Sequence, residues 1–178
     1  MSAFFSPKLR ASLYNEHMKV LAIDPGFGRC GVAMIEGAGA QAVLHYSSCI
    51  ETPSKSVFSE RLLFVANELL RLIDTYSPDT IAIEEIYFTN NAKTAIHVAE
   101  IRGMLIYLAA SHDIPLVEHN PLAIKIAITG YGRATKEQVT KMVEQLIILP
   151  KKKMLDDEYD AIAVGLTALA SAKYRQMP

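Results

Sequence analysis

Cysteine is scarce: only Cys30 and Cys49 occur in 178 residues. They match neither a CxxC nor a zinc-ligand spacing, and no secretory leader accompanies them. This excludes a disulfide framework and points to a reducing, cytoplasmic compartment, with both thiols expected as small buried apolar groups. Long hydrophobic runs are also lacking. The run Met104–Ala110 falls well short of the ~18–20 residues of a membrane span. Charge of one sign is not in excess: 18 Lys+Arg against 19 Asp+Glu leave a net −1. A uniformly basic nucleic-acid binder is thereby excluded, though a local basic patch is not. There is no internal repeat and no low-complexity tract.

What is present is a globular composition, 51% hydrophobic and 21% charged, which excludes intrinsic disorder. The length suits one domain, since domains cluster near ~100–150 residues. A chain of this size buries roughly 70% of its unfolded surface. Residues 1–17 lack the apolar core of a signal peptide and read as an extension outside the fold, leaving a domain over 18–174. Charge is uneven along the chain. Between Lys125 and Lys153 seven Lys/Arg face two acids, Glu137 and Glu144, a surplus of five. A polarised molecule with one basic region suits a phosphate-bearing partner, and equally an ordinary solvated surface.

Periodicity gives the elements. Lys19–Asp24 is an apolar strand stopped by the turn Asp24-Pro25-Gly26. Arg29–Glu36 and Ala42–Glu51 complete a three-stranded meander. Val57–Tyr76 changes to helical spacing through Leu62, Val65, Ala66, Leu69 and Ile73. Thr80–Glu84 is a fourth strand, 92–110 a helix and Ile114–Glu118 a fifth strand. Pro121 opens a short helix to Ile128. Thr135 and Gln138 form a capping box for a helix to about Leu149. A last helix runs from about Asp157 to Tyr174. The order βββ-α-β-α-β-α-α-α predicts an α/β, ribonuclease H-like fold, a five-stranded mixed sheet with helices on both faces.

Four acids fall at the ends of these elements. Asp24 ends the first strand and shares its face with Ala22 and Val20; Glu84 ends the fourth and shares its face with Ala82 and Thr80. This alternation favours Glu84 over Glu85 as the partner of Asp24. Asp157 and Asp160, three apart, lie on one face of the last helix. Helix capping also accounts for an aspartate at Asp157. Gathered carboxylates repel one another and raise each other's pKa, and a hard divalent cation relieves both costs. Oxygen donors suit Mg²⁺ or Mn²⁺, and no Cys/His cluster offers a zinc site. Two such ions ~3.5–4 Å apart stabilise the attacking and leaving oxygens of a phosphodiester displacement.

The segments Met18–Gly26 (MKVLAIDPG) with Gly31-Val32-Ala33, IAIEEIYF (81–88), Ala95–Gly103, GYGRATKEQV (130–139) and D-x-x-D-A (157–161) together resemble the RuvC Holliday junction resolvases, over about residues 18–172. The resemblance implies a metal-dependent, structure-selective endonuclease. Such an enzyme acts as a homodimer, nicks two opposed strands of a four-way DNA junction and leaves 5′-phosphate and 3′-hydroxyl ends. It works in recombination and repair beside branch-migration motors. It implies metal ligands at Asp24, Glu84, Asp157 and Asp160, two Mg²⁺ per site with Mn²⁺ as substitute, a stacking aromatic at Tyr87, and DNA-contacting Lys125 and Lys136. Three departures stand out: Asn90 where a lysine is usual, Glu158 and Tyr159 where small residues are usual, and the extra acid Asp156.

Several residues carry two readings. Tyr87 lies three residues past Glu84, where a ring that stacks on any unpaired base has a use; Phe88 reads as core packing. Lys125 sits in the apolar stretch Leu122–Ile126, either snorkelling or on DNA. Lys136 opens a helix, where a cation gains nothing from the dipole, a misfit that favours function. Lys151–Lys153 reads as a solvated connector or a phosphate contact. His119, at the end of strand five, is the histidine placed to approach the site, and Arg29 reads as hairpin surface.

Other classes remain as rivals. A YqgF-like RNA-processing nuclease shares the opening strand and DPG turn but differs in its later motifs. A non-catalytic junction-binding module has no need of four intact acids. An ATP-binding domain of the actin or hexokinase kind requires a second half and a glycine-rich phosphate cradle.

Overall fold

The computed structural model describes residues 17–26, 28–38, 41–85 and 92–174. Among these the elements are β1 (Met18–Asp24), β2 (Arg29–Ala38), β3 (Gln41–Glu51), α1 (Phe58–Tyr76), β4 (Thr80–Glu84), α2 (Ala92–Ser111), β5 (Leu116–His119), α3 (Pro121–Thr129), α4 (Lys136–Leu146) and α5 (Asp156–Tyr174). One sheet orders the strands β3-β2-β1-β4-β5. β1 pairs antiparallel with β2 and parallel with β4, and β4 pairs parallel with β5. The strand VLAI is apolar without interruption because β1 is the central strand and both its faces are covered.

Alternation along the strands divides the core. Leu21, Ile23, Ile81 and Ile83 face α1 and α2, meeting Val65, Leu69, Leu72, Ile101 and Leu105. Val20, Ala22 and Ala82 face the layer of α3, α4 and α5, meeting Ile124, Val139, Val143 and Ile162. The sheet therefore carries helices on both faces, as its element order predicts. Small residues on the second face let α5 approach closely. A Cβ on Gly165 would lie 2.7 Å from Ile35 Cδ1 and 3.0 Å from Ala22 Cβ. α5 is buried continuously over 161–169, sandwiched between sheet and helices.

Several element ends differ from expectation by one to three residues, as at β2, which runs on to Ala38 rather than Glu36, and two of these shifts have a clear cause. β5 begins at Leu116 rather than Ile114. Ile114 N–H is spent on Ala109 O, closing α2, and Pro115 has no N–H to donate; its carbonyl instead accepts from Ile81 N at 2.9 Å. α4 stops at Leu146 rather than Leu149, because Ile147 turns extended to bury its side chain. Thr135 and Gln138 form the expected capping box. Cys30 is fully buried as expected, while Cys49 is only partly so; both are free thiols. No helix among the described residues is long and apolar enough to cross a membrane.

Candidate active site

Asp24 and Glu84 are brought together by register. Ile23 pairs with Ile83 across the parallel β1–β4 ladder, so the next residue on each strand is an acid, on the face that carries Ala22 and Ala82. Glu85 falls on the opposite side of the pleat. The N-terminus of α5 reaches the same end of the sheet. A Cβ on Gly31 of β2 would stand 1.9 Å from the Asp157 carbonyl oxygen, so only glycine there admits the helix. Gly31 is itself paired with Asp24.

The electrostatics record this convergence. The Asp24 carboxyl is pushed up from 3.8 to about 7, first by burial and then by Glu84, Asp160 and Asp157 in turn, with Lys136 opposing. Burial and Asp160 also raise Glu84, against Lys136 and Lys125. Burial raises Asp157 as well, while Arg29 pulls it down. Like charges held this close favour the protonated form unless a cation joins them.

Internal cations already occupy part of the cluster. Lys136 Nζ donates to Asp160 Oδ2 at 2.7 Å and to Asp156 Oδ2 at 3.1 Å. Burial works against the Lys136 charge, but these two bonds outweigh it and hold the ammonium above the ordinary lysine value. Arg29 Nε stands 3.1 Å from Asp157 Oδ2, an ion-pair distance without hydrogen-bond alignment. A cleft of about 270 Å³ lies alongside, lined by Glu84, Lys125, Lys136 and Asp160 over an apolar floor of Ile124 and Val139. A larger hollow of about 470 Å³ runs along β5 between Thr80, Val117 and Ala168 and contains none of the four acids.

The crossover junction endodeoxyribonuclease RuvC family model matches residues 20–168. The chain belongs to the RuvC family. It is similar to the RuvC of Caldicellulosiruptor saccharolyticus, 41% identical over 87% of this chain and 94% of the relative. It is also similar to that of Thermosipho melanesiensis, 42% identical over 83% and 94%. Among solved structures, Thermus thermophilus RuvC in complex with Holliday junction substrate superposes with a TM-score of 0.84 at 27% identity, covering 89% of this chain and 97% of that one. The yeast mitochondrial resolvase Ydc2, at 14% identity and TM-score 0.63, shares the fold. As a RuvC family member the chain is a Holliday junction resolving endonuclease, and a metal-dependent one.

Its residues fit a hard divalent cation by donor chemistry. The cluster offers carboxylate oxygens only, and Asp24 bears a repulsion that such an ion relieves. Among the described residues no three His, Cys, Asp or Glu side chains form a ready cage, since Lys136 and Arg29 draw three of the aspartates toward themselves. A metal ion held by these aspartates would have to displace Lys136 and Arg29 from them.

Lys125 and Lys136 both line the cleft, so neither is a remote surface lysine. Lys136 resolves its helix-start misfit by pairing with the acids, a partner 20 to 24 residues away that local sequence does not reveal. His119 lies opposite Glu84 in the β4–β5 register, yet it lines the hollow along β5. Tyr87, Phe88 and Asn90 lie outside the described residues, as do residues 1–16. Three contacts are absent from the sequence reading: Arg29 pairs with Asp157, and Ser47 and Lys152 both hold Glu158. Lys152 is not part of a purely solvated connector; it turns inward onto Glu158.

Proposed function

We propose that the chain cuts four-way DNA junctions by paired symmetric nicks, with Asp24, Glu84, Asp157 and Asp160 holding two Mg²⁺ ions and Mn²⁺ as a substitute. The observation that carries this is the convergence on Asp24, whose carboxyl is raised first by burial and then by the charges of Glu84, Asp160 and Asp157. When bound, the ions stabilise negative charge developing on the scissile phosphate and lower the pKa of the attacking water. Asp24, the most perturbed carboxylate, would be the ligand whose strain a bound ion relieves most. Lys125 and Lys136, on the cleft wall, hold the phosphate backbone across the site. Arg29 and Lys136 keep the acids neutralised before metal enters. Tyr87 follows β4 by three residues and is proposed to stack on a base at the opened junction centre.

The same reading includes a homodimer. α2 buries Ile101, Leu105 and Leu108 on its own sheet, yet leaves Ile96 and Tyr107 59% and 69% exposed, with Ile106 also open. An apolar outer stripe on a helix that already covers a sheet suits a second copy, and a two-fold dimer presents two identical sites to a junction of matching symmetry. A branch-migration motor is proposed as a further partner on the family resemblance alone. A DNA substrate and two free thiols suit the cytoplasm.

The test is cleavage of labelled synthetic four-way junctions with Mg²⁺, beside linear duplex and single-stranded RNA. Paired nicks in the junction alone support the proposal. Binding without cutting supports a junction-binding module, and cutting of the RNA supports an RNA-processing nuclease.

A further inference from the structure

Glu158 is the most deeply buried acid among the described residues, at 4% exposure, and it stands between two of the proposed ligands. It points away from them. Its Oε1 accepts from Leu155 N at 3.2 Å, so the third residue of α5 reaches back to the residue before the helix and completes one half of a capping box. Its Oε2 accepts from Ser47 Oγ of β3 at 2.9 Å and from Lys152 Nζ at 2.7 Å. Lys152 Nζ also donates to the Ser47 carbonyl at 2.9 Å. Three donors, from β3, the 151–153 connector and the residue before α5, thus close on one carboxylate. Burial alone would raise the Glu158 pKa, but these donors hold it below the ordinary glutamate value.

The geometry has a counterpart on β2. Gly31 sits against the Asp157 backbone, in a space that admits no Cβ. The first turn of α5 is therefore fixed twice, by contact at Gly31 and by the Glu158 knot at Ser47. Both fixtures act on the backbone that carries Asp157 and Asp160. A register bulge in β3 between its pairings with Met34 and Ile35 leaves His45 as the extra residue, two positions before Ser47. Bulges commonly re-aim neighbouring side chains.

We infer that Glu158, tied to Ser47 and Lys152, is a positioning residue that sets the first turn of α5 so that Asp157 and Asp160 can share metal ions with Asp24. The inference rests on the reading of Asp157 and Asp160 as metal ligands. It assigns Lys152 to internal use rather than to DNA. A site whose ligands are held by one backbone turn is sensitive to small shifts, since a misplacement of ~1 Å costs on the order of 10²-fold in rate, and partners outside the ligand set contribute ~10–100-fold in metal affinity.

The experiment uses the full chain, stripped of metal, in four variants: Glu158→Gln, Ser47→Ala, Lys152→Met and Asp157→Asn. Calorimetric titration with Mg²⁺ and with Mn²⁺ reads affinity without DNA, and junction cleavage reads kcat and KM separately. Glu158→Gln is expected to weaken metal binding by ~10-fold and to lower kcat while KM for the junction stays unchanged. Lys152→Met should follow it, and Ser47→Ala should shift both in the same direction by ~3-fold. Metal affinity and kcat within twofold of the wild type in Glu158→Gln would overturn the inference. If that variant does not fold, Ser47→Ala decides by the same reading, with unchanged metal affinity overturning it. Asp157→Asn separates the two levels. If it binds metal and cuts like the wild type, the assignment of the ligands has failed. If it is inactive while the other three are unaffected, only the positioning role of Glu158 has failed.

Discussion

Lys136 Nζ lies 2.7 Å from Asp160 Oδ2, so a lysine proposed to grip DNA is paired, without metal, to an acid proposed to grip metal. Metal and phosphate therefore compete with this one contact in a coupled way. A metal ion held by Asp160 would free Lys136, and a phosphate held by Lys136 would free Asp160. Junction DNA should then strengthen metal binding, and metal should strengthen DNA binding by the same factor, because linkage is reciprocal.

That coupling gives the first prediction. Lys136→Met should reduce the slope of log affinity against log salt by ~0.9, one phosphate's worth. It should also lower the melting temperature of metal-free protein by no more than about 4 °C, since a half-exposed pair contributes at most ~1 kcal/mol. Added Mg²⁺ should close that gap. Lys125→Ala, which has no carboxylate hydrogen bond to give up, should change the salt slope without the metal-dependent stability difference. Equal salt slopes in wild type and both variants would return these lysines to the role of cleft wall.

A second prediction concerns pH. The folded Asp24 carboxyl titrates at about 7 against 3.8 unfolded, so between these values the folded state binds the extra proton. Stability of metal-free protein should therefore fall as pH rises from about 4 to about 7, the slope being negative wherever the native state holds more protons. Asp24→Asn removes the titrating group. Its melting temperature at pH 8 without metal should exceed that of the wild type, while cleavage is lost by at least ~10³-fold and junction binding persists. Thermal scans across pH check the first point, and gel-shift and cleavage assays the second. A wild-type melting temperature that climbs from pH 5 to 7.5 would contradict the assignment of Asp24 as the strained member of the cluster.

Much of this was legible from residues alone, for identifiable reasons. The meander, the two crossovers and the face shared by Asp24, Ala22, Glu84 and Ala82 follow from a period of two in strands that are buried on both sides. The D-x-x-D spacing places Asp157 and Asp160 on one helix face. What local sequence does not carry is contact across the fold. Arg29 reads as hairpin surface because its partner Asp157 lies 128 residues later, and Lys152 reads as connector because Ser47 is on another strand. The pairing of Lys136 with the acids is of the same kind. Element ends moved where a backbone group had a better partner, as at Ile114 and Ile147.

A third prediction uses the close approach at Gly31. Gly31→Ala places a methyl 1.9 Å from the Asp157 carbonyl oxygen, a backbone atom that can move only with the helix. Overpacking of this kind typically costs ~1–3 kcal/mol, about 2–12 °C in a domain of this size. Because the displaced turn bears Asp157, cleavage at saturating junction should fall beyond what the stability loss explains at 25 °C. Denaturant melts paired with kcat measurements check this; a destabilised variant with unchanged kcat would show that the turn tolerates displacement.

The stacking role of Tyr87 predicts an asymmetry between two substitutions. Tyr87→Phe keeps the ring and should be nearly silent. Tyr87→Ala should lose ~1–3 kcal/mol of base stacking, a ~5- to 150-fold drop that falls on cutting more than on binding. Failure of the Phe variant to the same extent as the Ala variant would assign the hydroxyl, not the ring, the decisive contact.

The open face of α2 predicts the assembly. Tyr107 and Ile96 are among the most exposed large apolar residues described, on a helix whose other face is sealed against the sheet by Leu105 and Leu108. Leaving them in water costs roughly 25 cal/mol per Å² of apolar surface, and a second copy of the same helix removes that cost symmetrically. Tyr107→Glu sets like charges against each other across a two-fold interface while leaving the buried face untouched. Light scattering at micromolar concentration should show a dimer for the wild type and a monomer for the variant, with thermal stability of the monomeric fold little changed. The variant should nick one strand of a junction without the matched second nick, so that linear resolution products disappear while single nicks remain. A wild-type monomer that still makes paired, symmetric nicks would contradict the dimer, because one metal site cannot cut two opposed strands in register without leaving the junction.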